Sequence, residues 1–73
     1  MREYLKELRQ KHRMTQQDVA KKLGISTQYY QLLESGKRQK KLDLTVAAKL
    51  STIFGVTVDF IISSEEKIKL IHK

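Results

Sequence analysis

The stretch Gln16–Ser35, QQDVAKKLGISTQYYQLLES, constrains the fold more than any other part of this chain. Ala20, Gly24 and Ile25 fall in a short turn-bounded unit, with Tyr30 and Leu33 at helical spacing behind. Two short helices joined tightly through a three-residue turn need that order. They require a small residue where they touch, a glycine free to take positive φ at the bend, and apolar anchors on the second helix.

Local signals on either side place three further helices. Glu3–Lys11 sets Leu5 and Leu8 on one side with Tyr4 beside them, an amphipathic pattern. Thr15 is an N-cap candidate with Asp18 three residues on, a capping box with Asp in place of Glu. The helix it starts turns Val19, Ala20 and Leu23 inward and ends at Gly24. Ser26 caps a third helix to about Ser35, closed by Gly36. Asp43 caps a fourth through Phe54, with Leu44, Ala47, Ala48, Leu50, Ser51 and Phe54 as its expected inner face, and Gly55 stops it. Thr57 starts a short fifth helix through about Ile62 that contributes Val58 and Ile61. Val56, Thr57 and Val58 have strand-like side chains, but no partner strand is evident. The tail, Ser63–Lys73, stays open: Ile68 and Ile71 suit a helix, whereas Ile68 and Leu70 alternating with lysines suit a strand. The expectation is an all-α bundle of five short helices, one domain over residues 1–62 and a tail over 63–73 that adds a helix or pairs two copies.

Seventy-three residues allow one domain, near the size where a single core gives only modest stability. Fifteen Lys and Arg against eight Asp and Glu leave a net charge of +7, which draws polyanions. With no cysteine, disulfides and thiolate metal sites are excluded, and no apolar run approaches the roughly 20 residues of a membrane span. The start, MREYLKELRQ, lacks the apolar core and cleavage site of a signal peptide, so a cytoplasmic location is expected. The Met1 start and the complete set of helices fit a whole small protein. His12 and His72 lie at opposite ends without metal-ligand spacing, and Asp18, Asp43 and Asp59 read as helix-start residues. No catalytic, metal or cofactor site is expected, and the chain does not read as an enzyme.

A second helix held out from the body of a small basic protein fits a DNA major groove. From Leu5 to about Ile62 the chain also resembles the phage-repressor/Cro-type (XRE) helix-turn-helix family of bacterial and phage transcriptional regulators. The resemblance rests on Leu5, Leu8 and Arg9, on MTQQDVAKKLGIS, on Tyr30, Leu33, Glu34 and Gly36, and on LxxAAKLSTIFGV followed by TVDF. It implies a lambda-repressor-like bundle that binds a palindromic double-stranded operator as a homodimer and represses by occupying a promoter. A helical protein-interaction module, or an antitoxin-like partner gripping another chain, is the competing class.

With Tyr30 and Leu33 facing the core, Thr27, Gln28, Gln31 and Leu32 should face solvent. The resemblance makes Thr27, Gln28 and Leu32 the base-contacting positions. Gln pairs with adenine N6 and N7, and Thr or Leu can meet a thymine methyl. Leu32 departs from the family, which is usually polar there, and suits a protein interface equally. Gln16 in the first turn of the second helix, Tyr29 and Gln31 are phosphate-contact candidates, as are Lys37, Arg38, Lys40 and Lys41 of the loop KRQKK. Lys11 and Arg13 would extend that basic stripe. Tyr30 is usually aliphatic in the family, so its ring should be partly buried with its hydroxyl partnered. Arg9 and Glu34 match a pair that joins the first helix to the end of the third. For pairing of two copies, the apolar end bearing Phe60, Ile61, Ile62, Ile68, Leu70 and Ile71 is the surface available.

Overall fold

Side-chain caps start the middle three helices where the sequence puts them. The computed structural model describes residues 1–71, with side chains through residue 68. Its helices are α1 (Glu3–Lys11), α2 (Gln16–Leu23), α3 (Thr27–Ser35), α4 (Leu44–Phe54) and α5 (Val58–Ile71), with no strand among the described residues. The Thr15 hydroxyl accepts from the Asp18 N–H and the Asp18 carboxylate from the Thr15 N–H, completing the capping box. Ser26 accepts from the Tyr29 N–H, and Asp43 from the Thr45 N–H.

At the α2–α3 turn Gly24 takes φ +75°. The Ile25 N–H reaches the Ala20 carbonyl and the Gly24 N–H the Lys21 carbonyl, the paired bonds of a Schellman ending. Ala20 and Ile25 therefore stand at the two ends of one backbone bond, which explains their place in the motif. Since Ile25 and Ser26 complete the turn, α2 hands directly to α3.

Leu5, Val19, Ala20, Leu23, Tyr30, Leu33, Ala47, Leu50, Phe54 and Ile61 form the buried core. Every helix contributes, and α2 packs most extensively on α3. The expected inner faces of α1 to α3 hold. On α4, however, Leu44 is 71% exposed and Ala48 is also exposed, while Val46 and Ile53 pack inward. Leu50 and Phe54 fix the helix phase, and at 100° per residue that phase turns positions 44 and 48 outward.

The fifth helix is not short. It continues past Ile62 to Ile71, so the described part of the tail is helical and the strand alternative falls there. Ser63 and Ser64 do not break it, and the Ser64 hydroxyl donates back to the Phe60 carbonyl within the helix. The chain turns through 118° between α4 and α5. Ile61, expected on a pairing surface, belongs to the core, whereas Phe60 and Ile62 are exposed. The parts expected of Leu70 and Ile71 lie outside the described side chains. Among the described residues no single helix is long and apolar enough to cross a membrane.

Candidate nucleic-acid interface

Helix α3 divides its residues sharply. Tyr30, Leu33 and Glu34 are buried, while Gln28 and Gln31 are exposed and Thr27, Tyr29 and Leu32 are half-buried. Nine residues at 1.5 Å each give a rod of about 14 Å, and its outer surface carries two amides beside a hydroxyl. Thr27 and Leu32 lie closer to the protein body than the solvent-facing expectation had them.

Behind this surface, Arg9 and Glu34 join α1 to the end of α3. The guanidinium Nε and Nη2 each donate to one Glu34 oxygen at 3.1 Å, and Nη1 donates to the Met14 carbonyl at 3.2 Å. Glu34 is 2% exposed. Burial alone would push its carboxyl up, but the hydrogen bonds and charge of Arg9 outweigh that and hold it below the usual range. The same pairing holds the Arg9 guanidinium above its ordinary value.

Gln16 also turns inward. Its Nε2 donates to Glu34 at 3.3 Å, so the side-chain amide expected to meet phosphate is partly committed to the α1–α3 junction. Tyr30 differs from expectation as well. It is fully buried, and its hydroxyl finds no partner of hydrogen-bond geometry, though it lies within reach of the Glu34 and Arg9 charges. Burial first, then Glu34, pushes this phenol well up.

The loop after α3 presents Lys37, Arg38, Lys40 and Lys41 to solvent, and among the described residues none of the four is paired with a carboxylate. Its centre, Gln39, was not singled out by the sequence. It takes φ +52°, its Nε2 donates to the Tyr29 hydroxyl at 2.9 Å, and its Oε1 accepts from the Asp43 N–H at 2.8 Å. Tyr29 thus stands half-buried with its hydroxyl oxygen engaged by the loop.

Arg2 is the larger omission. It is 3% exposed, and its guanidinium donates to the carbonyls of Leu33 (2.6 Å), Arg38 (3.1 Å) and Gln39 and to the Glu65 carboxylate (2.8 Å). Tyr4 donates to the same Glu65 oxygen at 2.6 Å. No local pattern marks Arg2, because its partners lie 31 to 63 residues away.

Among the described residues no cluster of His, Asp and Glu could hold a metal ion. The arrangement offers hydrogen-bonding side chains on a rigid rod, flanked by unpaired cations. That suits a polyanion with readable edges.

A family model described as helix-turn-helix matches residues 5–61. The chain is 41% identical over 66 residues to an uncharacterised helix-turn-helix transcriptional regulator of Methanocaldococcus jannaschii, covering 90% of this chain and 97% of that protein. It is 37% identical over 68 residues to another of Archaeoglobus fulgidus, covering 90% and 94% respectively. A third, from Bacillus subtilis, is 34% identical over 68 residues, which span 57% of that longer protein. No solved structure matches the chain significantly.

Proposed function

The chain belongs to the helix-turn-helix family, and we propose on that basis that it binds double-stranded DNA in a sequence-specific way and represses transcription by occupying a promoter. DNA-binding regulation of transcription is the common thread of the family and of the relatives' names. The relatives bear the names of transcriptional regulators, and no enzymatic role is proposed. The observation that carries the finer reading is exposed Gln28 on a buried-backed helix, with exposed Gln31 and four cations free of carboxylate partners among the described residues.

In this reading Thr27, Gln28 and Leu32 meet base edges from α3 in the major groove. Gln31, Tyr29, Lys37, Arg38, Lys40 and Lys41 meet phosphates. Gln16 does so through the free N–H groups of the first turn of α2 more than through its committed amide. Arg9, Ala20, Gly24, Ile25, Tyr30, Leu33 and Glu34 hold the frame. The protein works in the cytoplasm as a homodimer on a palindromic site, with exposed Leu44, Phe60 and Ile62 supplying the apolar contact between copies.

Selection of bound fragments from random duplex DNA tests this. One enriched motif, with half-sites about 34–36 Å apart, is the expected result. Salt-dependent retention without enrichment of any sequence would overturn the specific reading. A single half-site bound 1:1 would overturn the dimer.

A further inference from the structure

The loop Lys37–Lys41 has a construction problem that its own sequence does not solve. It packs four positive charges into five residues, contains no proline, and places Gln39 at positive φ. Mutual repulsion and backbone strain both favour opening it. Its backbone carbonyls at Arg38 and Gln39 nevertheless face inward, and both accept from one buried group, the guanidinium of Arg2.

Arg2 also completes the end of α3. Its backbone N–H donates to the Glu34 carbonyl at 2.8 Å, a group that the end of the helix leaves without an intrahelical partner, and its Nη1 joins the Gly36 N–H on the Leu33 carbonyl. A cation there suits the helix dipole. It does not suit four neighbouring cations, and the carboxylate that balances it comes from the other end of the chain, Glu65 of α5. Glu65 is held in turn by the Tyr4 hydroxyl. The fork of a guanidinium is needed to serve three carbonyls and a carboxylate together, which an ammonium cannot do.

We infer that Arg2 is the positioning residue of the basic loop, fixing Lys37–Lys41 against the end of α3 and, through Glu65, making the order of that loop depend on the seating of α5. The inference rests on the reading of the loop as a set of phosphate contacts, and adds a residue that never touches DNA. It also gives the long α5 a role in DNA affinity. Displacing α5 removes the counter-charge of Arg2 and releases the loop, so anything that engages α5 near Glu65 changes the grip on DNA.

The test compares the full chain with Arg2→Lys, Arg2→Gln and Glu65→Gln, each below its melting transition. Val19→Ala serves as a destabilised control away from the loop, and Lys41→Ala as a direct loop control. Amide exchange is followed at Lys37 and Arg38, whose N–H groups donate to Leu32, against amides of α2 and α4. Binding to random duplex DNA is measured over a range of salt. All three clamp variants should speed loop exchange by about tenfold relative to α2, a difference that Val19→Ala should not produce. Affinity for random duplex should fall several-fold, and the salt slope should drop by roughly one for each phosphate no longer neutralised. Arg2→Lys keeps the charge, so wild-type loop exchange and salt slope in that variant would show a plain cation at work and overturn the proposal. Unchanged loop exchange in folded Arg2→Gln, or a loosened loop with unchanged affinity, would also overturn it. Lys41→Ala with wild-type affinity and slope would sink the phosphate reading itself, and this proposal with it.

Discussion

Arg9 meets Glu34 side on, two guanidinium nitrogens each 3.1 Å from a different carboxylate oxygen, so the first helix and the end of the third are joined by a planar, two-pronged contact. Such a fork fixes orientation as well as distance. It ties the last turn of α3, just ahead of the Gly36 cap and the basic loop, to the first helix.

Acid should loosen this joint. The Glu34 carboxyl lies below its ordinary range in the folded protein, while an unfolded glutamate titrates at about pH 4.3. Its contribution is therefore complete above that value and is lost as pH falls toward and through the lower folded value. Denaturant melts between pH 7 and 2.5 should show a stability loss in that window that Glu34→Gln lacks. Equal slopes in the two proteins would refute the assignment.

Tyr30→Phe should be close to neutral or stabilising. The ring fills the core, but the buried hydroxyl has no partner of hydrogen-bond geometry, and leaving such a group unpaired costs about 1–3 kcal/mol. A urea melt losing more than about 1.5 kcal/mol would mean that the hydroxyl is bonded in solution.

Gly24 tests backbone against space. No atom lies within 4 Å of a Cβ built there, so the whole penalty comes from φ +75°. Val should cost at least about 1 kcal/mol, Ala less, and Asn least despite its size, because Asn tolerates the left-handed region. Thermal melts that rank the three by volume would reject this account.

Gln28→Ala should cost roughly 1–3 kcal/mol on the preferred DNA site and relax preference at one base pair. Affinity for random duplex should barely move. Competition binding with both duplexes distinguishes this from a general loss, which would remove the base-reading role.

The first helix was legible from the spacing of Leu5 and Leu8, and the next three because their boundary signals are local. Thr15 with Asp18, Ser26, Asp43 and the three glycines act within four residues of themselves, and each does so in the structure. Misreadings arose where distant contacts decide. Leu44 and Ala48 carry an apolar pattern that the packing phase of α4 leaves outside. Ile62 carries no stop signal, and α5 runs on to bring Glu65 beneath Arg2 and Tyr4. Arg2 itself sits in an unremarkable basic context, and only the folded chain gathers its partners. In the candidate site, the exposure of Gln28 and Gln31 followed from helical phase alone. The inward turn of Gln16 and the role of Gln39 depended on where Glu34 and Tyr29 came to rest.

The division of labour along α3 has an evolutionary corollary. Tyr30, Leu33 and Glu34 lock the helix in place from one side, while Gln28 and Gln31 on the other touch nothing that holds the fold. Substitutions at the second pair rewrite what the helix offers to a partner without asking the core to repack. On the proposed reading, a lineage of such chains would drift to new targets in single steps, keeping an unbroken fold at each one.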